Sequence, residues 1–260
     1  MGKVRFAEML PHELVAARAS RPVAYLPLGT LEWHGGHLPY GFDGVKAEAL
    51  ACVFAERTGG VVMPAVWWGD HRGILAEVVF APEVRPTFPY DHRPAICDAL
   101  GLTPEAFAQD AARCEREEGG WTLYQTILTH AFHEIETLGF RLILPISGHY
   151  PLIEPARVAA QTYRGRARVH PFIEAELVAD QGYKGDHAGT WETSLLMALR
   201  PELVMMDRIL TFDDDEAIGA PFTKPHRTAS RELGERGIAA MTEVIACLVH
   251  AYLAEDRRKD

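Results

Sequence analysis

Four short apolar runs, Val23 to Leu28, Val61 to Val66, Leu142 to Ile146 and Ala167 to Phe172, alternate with longer segments whose apolar residues recur at helical spacing. This alternation constrains the fold more than any other feature of the chain. Short runs rich in branched residues, separated by helical patterns, are what a parallel sheet covered by helices requires. The helical segments are a short one near His12 to Ala19, then Gly44 to Thr58, Pro104 to Glu117, Trp121 to Leu138, Pro151 to Arg164 and Thr190 to Leu199. Thr103 before Pro104 predicts a helix start, because Thr can cap free N–H groups and Pro in the first turn loses no bond. Gly139 after Leu138 predicts a stop.

The most apolar long stretch, Gly237 to Ala254, contains Glu243 and His250 and repeats Ile238, Met241, Ile245, Leu248 and Tyr252 at helical spacing. That predicts a core-facing helix rather than a membrane span. The least regular part runs from Ala76 to Gly120, punctuated by Pro82, Pro86, Pro89 and Pro94, and reads as an excursion from the sheet that covers a site. No repeat, low-complexity tract or Gly/Ser linker interrupts the 260 residues, so one α/β domain over 1–260 is expected.

A net charge of -10 would repel a phosphate backbone or an anionic membrane surface, and no basic patch reverses it, so neither nucleic acid nor membrane is an expected partner. The acidic run Asp213 to Glu216 and the tail from Glu255 to Asp260 read as solvated charge. Cys52, Cys97, Cys114 and Cys247 lie far apart with no Cys-x-x-Cys, which excludes a zinc ribbon or redox dithiol and suits a reducing cytoplasm. Met1 to Leu14 lacks the apolar stretch of a signal peptide, and Phe6 stands where a myristoylation signal needs Ser or Thr.

Ligands of an open α/β sheet bind beyond the carboxyl ends of its strands, so reactive residues are sought in the following loops. After the Val23 run comes Gly29-Thr30-Leu31-Glu32-Trp33-His34-Gly35-Gly36-His37-Leu38-Pro39, then Asp43. After the Leu142 run comes Ser147-Gly148-His149-Tyr150, and further on Asp186-His187-Ala188-Gly189-Thr190-Trp191-Glu192-Thr193-Ser194. Glu32, His34, Asp43, His149 and Glu192 are carboxylate and imidazole donors suited to Zn²⁺ or Mn²⁺, with Fe²⁺ a third choice, and one carboxylate such as Asp43 can bridge two ions. By spacing alone the same residues read equally well as solvated loop groups and one hydrogen-bonded histidine. No Gly-x-Ser-x-Gly elbow and no Walker-type loop occurs, which argues against a serine hydrolase and an NTPase.

Glu32-x-His34-Gly35-x-His37-Leu38-Pro39 with Asp43, then Ser147-Gly148-His149-Tyr150, then His187-Ala188-Gly189-x-x-Glu192-Thr193-Ser194 resemble the motifs of the creatininase (creatinine amidohydrolase) family, in order, over about Pro22 to Leu199. The resemblance implies a three-layer α/β/α sandwich, a homohexamer, and a two-metal site whose bridging hydroxide cleaves a C–N amide bond in a small cyclic or linear amide. Carried over by motif, Glu32 and His34 bind different ions, Asp43 bridges both and His149 joins the ion of Glu32. In creatininase itself a Glu ligand follows the His-Tyr, but Pro151 stands there in this chain, which puts creatinine as substrate in doubt. Glu192 is then expected to close the site. His187 is expected to shuttle protons to the leaving nitrogen, with Asp186 orienting it.

His37 is expected to support a ligand by hydrogen bonding. His71, Tyr150 and Trp191 are expected to contact substrate, and Trp33, Trp67 and Trp68 are further candidates for pocket walls. His130, His133 and Glu134 miss the spacing of a zinc helix and read as a solvated or interface face. Two other readings are a single-metal hydrolase and a non-catalytic binding or scaffold member of the family.

Overall fold

The computed structural model describes residues 3–256; the Met1-Gly2 start and the tail beyond Asp256 lie outside the described residues. In chain order the described residues form α1 (Pro11–Ser20), β1 (Val23–Leu28), α2 (Phe42–Thr58), β2 (Val61–Val62), α3 (Ala76–Val79), α4 (Arg93–Ala99), α5 (Pro104–Glu117), α6 (Gly120–Thr137), β3 (Leu142–Ser147), α7 (Ile153–Thr162), β4 (Arg168–Val169), α8 (Thr190–Leu199), α9 (Pro225–Thr228) and α10 (Arg231–Asp256). The sheet has the order β2-β1-β3-β4 with every pairing parallel. From β1 the chain steps to β2 on one side and then returns to place β3 on the other. The carboxyl ends of β1 and β3 therefore flank the topological switch point, where such sheets open a crevice.

Strand periodicity of two separates the layers. Val23, Tyr25, Leu142, Leu144 and Ile146 face one core, shared with Leu50 and Phe54 of α2, Leu195 of α8 and Met241, Ile245 and Val249 of α10. Ala24, Leu26, Leu28 and Ile143 face the other, against Tyr124, Leu128 and Phe132 of α6 and Ala156 and Ala159 of α7. The result is the expected α/β/α sandwich. By length and composition Arg231–Glu255 could cross a membrane, but its apolar stripe is spent in the first core.

Two expected strands are much shorter than their apolar runs. The regular ladder on β1 ends with the Met63 N–H donating to the Tyr25 carbonyl at 2.8 Å, so β2 spans only Val61–Val62 and pairing resumes where the Val66 N–H donates to the Pro27 carbonyl at 2.9 Å. The regular part of β4 is Arg168–Val169, and beyond it the N–H groups of His170 and Phe172 still donate to the Ile143 and Pro145 carbonyls of β3 at 2.9 and 3.0 Å. The expected helix from Pro151 begins as a 3₁₀ turn and becomes α-helical at Ile153. The C-terminal helix begins six residues before Gly237, at Arg231, because the Ser230 hydroxyl accepts the Leu233 N–H at 3.2 Å and so caps the first turn. Thr103 stands at the start of α5 without a side-chain cap bond, whereas Gly139 ends α6 with φ +90° as expected. The 76–120 excursion is less irregular than its prolines imply, since it carries α3, α4 and α5. In the tail, Glu255 is described and pairs with Arg168 at 2.7 Å.

Candidate metal centre

The loop after β1 carries Glu32 and His34 into the crevice, α2 begins with Asp43 in its first turn, and the loop after β3 brings His149. Gly148 passes so close to the Asp43 backbone that a Cβ there would collide with the Asp43 carbonyl, so only glycine lets the two segments meet. Glu192 enters from the first turn of α8. All five side chains are buried.

They form two sets around one carboxylate. Glu32, Asp43 and His149 offer ligand atoms within 4.8 Å of one another, and so do His34, Asp43 and Glu192; Glu32, His34 and His187 make a third such group, which does not include Asp43. Asp43 Oδ1 faces His34 Nε2 at 3.2 Å, and its Oδ2 faces His149 Nδ1 at 3.4 Å. Neither Asp43 oxygen receives a hydrogen bond, nor do Glu32 Oε2 or His149 Nε2. Buried polar atoms left unpartnered in this way cost free energy unless something absent from the protein chain satisfies them. A divalent cation in each set would do so, and the mixed oxygen and nitrogen donors suit Zn²⁺ or Mn²⁺.

The donors are oriented from behind. The Glu32 backbone carbonyl accepts from His34 Nδ1 at 3.2 Å, which leaves Nε2 free to coordinate. Glu32 Oε1 accepts the Ala76 N–H at 2.6 Å, so the first residue of the excursion steadies a ligand. Glu77 accepts the Trp33 N–H at 3.0 Å and the Tyr40 hydroxyl at 2.7 Å, holding the same loop. Glu192 Oε2 accepts the Ala188 N–H at 2.8 Å, while Oε1 contacts the Lys46 ammonium.

His187 lies against the centre, its Nδ1 3.9 Å from Glu32 Oε2 and its ring 4.2 Å from that of His34. Its Nε2–H donates to the Trp33 carbonyl at 2.8 Å, so Nδ1 faces the site with a lone pair. Asp186 does not orient it. The Asp186 carboxylate instead accepts the N–H groups of Trp191 and Glu192 at 2.8 and 3.1 Å, capping α8, where free donors attract a carboxylate.

Among the expected wall residues, Tyr150 lines the crevice and donates its hydroxyl to Glu174 at 2.7 Å. Trp191 does not line it: the indole is buried in the core against Tyr183, with centroids 5.0 Å apart. His71 is also elsewhere, hydrogen-bonded to Glu115 at 2.5 Å and packed on Trp121. Trp33 packs with Phe80 and Phe88, Trp67 lies against Gly41 and Gly44, and Trp68 is 70% exposed. His37 bonds Thr193 at 2.9 Å and takes part in neither donor set. His130 pairs with Glu134 at 3.3 Å on an exposed face, and His133 packs on Tyr163.

The sequence reading missed Lys46, Glu174, Glu77, Phe80, Arg85 and Phe222. Lys46 is fully buried, with Nζ 3.2 Å from Glu174 Oε1 and in contact with Glu192. Its signal was available: it stands three residues after Asp43 on the helix face that Ala47, Leu50 and Phe54 turn to the core. Phe80 closes edge-on over His187, with centroids 4.9 Å apart, and no local pattern announces it.

Burial alone would lower the pKa of His34, but the carboxylates of Asp43, Glu192 and Glu32 outweigh it and raise the group to about 9. His149 reaches about 10 in the same way, through Glu32 and Asp43. Burial, aided by the His34 charge, pushes His187 down to about 4, and burial brings His37 to about 4. Burial raises Glu192 to about 7 against the pull of Lys46 and His34.

A pH dependence of the metal-free protein follows. Protonated His34 and His149 contribute stability that is complete below their unfolded value near 6.5 and is lost as pH rises through about 9 and 10. His187 and His37, depressed to about 4, act oppositely and remove stability as pH falls from about 6.5 towards 4. Chelated protein is expected to melt highest near pH 6.5 and progressively lower towards pH 10. Ions that replace the protons should flatten the alkaline side. A melting temperature of the chelated protein that stays level or climbs between pH 6.5 and 10 contradicts this.

The family model described as creatinine amidohydrolase matches residues 7–82 and 120–249. The chain is 28% identical over 242 residues to the creatinine amidohydrolase of Pseudomonas putida, covering 86% of this chain and 87% of that protein. Among solved structures it is similar to a manganese creatininase, with a TM-score of 0.69 and 21% identity over 96% of this chain and 99% of the other. A mutant creatininase of zinc–zinc type gives a TM-score of 0.65 and 22% identity over 97% and 99%. The matched residues include every member of the two donor sets and His187. The chain therefore belongs to the creatininase family of amidohydrolases.

Proposed function

We propose that the protein hydrolyses the C–N bond of a small cyclic or linear amide at a site holding two divalent ions, Zn²⁺ or Mn²⁺, with Fe²⁺ a third choice. One observation carries the reading: Asp43 turns its two unpartnered, buried oxygens towards two separate donor sets. Glu32, Asp43 and His149 would hold one ion, and His34, Asp43 and Glu192 the other. Ions bound there supply Lewis acidity, polarising an amide carbonyl and making water acidic enough to attack at neutral pH.

The remaining work falls to the protein. His187, with Nε2–H anchored on Trp33 and Nδ1 unprotonated at neutral pH, is placed to take a proton from the attacking water and return it to the leaving nitrogen. Phe80 and the neighbouring imidazole of His34 shield that exchange from bulk water. The crevice encloses about 240 Å³, room for a small substrate. Pro151 in its lining, where creatininase has a Glu ligand, argues against creatinine itself. A homohexamer in a reducing cytoplasm belongs to the same reading, supported by exposed apolar Leu10, Val15 and Trp68 and by four free thiols.

Elemental analysis of protein purified without added metal or chelator is expected to find nearly two ions per chain, falling towards one in Glu192→Gln. His187→Ala should keep both ions and lose about 10²- to 10⁴-fold in kcat, the usual worth of a positioned acid–base group. Loss of metal in that variant makes His187 a ligand instead of a shuttle. One contact favours a single-ion hydrolase, because Lys46 already engages Glu192 Oε1; one ion in both wild type and Glu192→Gln would establish that version. No ion even after reloading would leave a non-catalytic member of the family.

A further inference from the structure

The family model leaves out residues 83–119, yet this stretch reaches the crevice. Arg85 lines its mouth, together with Val79, Phe80 and Phe222. The backbone there is held by a tight turn, in which the Arg85 N–H donates to the Ala81 carbonyl at 2.8 Å and the Arg85 carbonyl accepts the Phe88 N–H at 2.9 Å. The acids nearest in the turn are already taken. Arg93 pairs with both Glu83 and Asp91, whereas the Arg85 guanidinium has no hydrogen bond or ion pair among the described residues.

The crevice thus has two unlike ends. Its floor carries the acids Glu32, Asp43, Asp186 and Glu192, and its only Lys or Arg is Arg85 at the mouth. Between them stand apolar Ile74, Val79 and Phe80, with Phe222 packed against Phe80 and Phe88 at centroid distances of 6.2 and 5.6 Å. Phe222 is 49% exposed, an apolar ring left open at the rim.

Building on the amidohydrolase reading, we infer that Arg85 is a specificity-determining residue, and that the substrate is an amide whose apolar body carries an anionic group, a carboxylate or phosphate, at the end away from the scissile bond. A guanidinium offers a forked pair of N–H donors that matches either anion. In the loaded enzyme the floor carboxylates are taken up as ligands and the floor is left to the reacting amide, while Arg85 at the mouth is the Lys or Arg of the lining that can pair such a group. The arrangement orients the substrate as well as holding it.

The test compares two probes that share one scissile bond, formanilide and 4-formamidobenzoate, on metal-loaded wild type, Arg85→Gln and Arg85→Lys. Wild type is expected to show a KM about twofold to fivefold lower for the carboxylated probe, with the advantage shrinking as salt rises. Arg85→Gln should bring the KM ratio to about one, and Arg85→Lys should restore part of it. Hydrolysis of both probes with the same ratio in wild type and Arg85→Gln overturns the role of Arg85 and leaves the amidohydrolase reading standing. If neither probe is hydrolysed, calorimetric binding of 4-aminobenzoate against aniline decides. Tighter binding of the carboxylate that disappears in Arg85→Gln upholds the anion site, and equal binding removes it. Running 4-formamidophenyl phosphate beside the carboxylate separates the two anions.

Discussion

Asp43→Asn is expected to lower amide turnover by roughly 10³-fold or more, since loss of a single oxyanion-stabilising donor already costs about 10²- to 10³-fold elsewhere and this residue serves both donor sets. The asparagine has the same size but only one oxygen, and its NH₂ must face either His34 or His149. One set then keeps only two ligands, and the other keeps a neutral amide oxygen in place of a carboxylate. Metal content should fall below that of Glu192→Gln, because one ion loses a ligand and the carboxylate charge is lost to both. Circular dichroism should be unchanged, since asparagine has the size and shape of the aspartate it replaces. Retention of two ions and near-normal turnover by Asp43→Asn would show that the two sets are not joined through this carboxylate.

Lys46→Met should have the largest effect on stability. Nζ lies in a fully buried position between Glu174 and Glu192 and over the rings of Phe42 and Tyr150, at 5.0 and 4.9 Å from their centroids. Burial opposes the charge, but the two carboxylates outweigh it and raise the lysine above its ordinary range. Methionine of similar length leaves both carboxylates buried without their counter-ion, a change that costs about 3–5 kcal/mol. At about 2–4 °C per kcal/mol for a chain of this size, the midpoint should drop by roughly 10 °C in metal-free protein. Adding Glu174→Gln should recover part of the loss, because one stranded charge is then removed. A drop under about 2 °C would mean that solvent or a shift of the carboxylates compensates the lysine, and the pairing would carry little of the stability.

The two predictions draw on different parts of what the amino-acid sequence discloses. Asp43 stands in a motif, at the start of a helix that follows a strand and a glycine-bounded loop, where chemistry and position could be read together. Lys46 lies one turn further on and was passed over, although a charged residue on the core-facing side of α2 is itself a signal. Glu174 is different. It sits 128 residues beyond Lys46 in a short 3₁₀ stretch with no motif, and only the packing of that stretch beside the crevice joins them.

What the sequence determined by itself is the layered fold and, through its motifs, the five residues proposed as donors. Both depend on local properties: apolar periodicity chooses strand or helix, and the side-chain chemistry of the loops after β1 and β3 travels with the strand ends. Tertiary structure alone decided how the donors divide into two sets around Asp43, that His187 is held by the Trp33 carbonyl while Asp186 caps α8, and that Phe80, Arg85 and Phe222 form the mouth in place of His71 and Trp191. Coordination and hydrogen bonding act over about 2–3 Å. Only the packing of the two layers on the sheet brings segments remote in sequence to within that range.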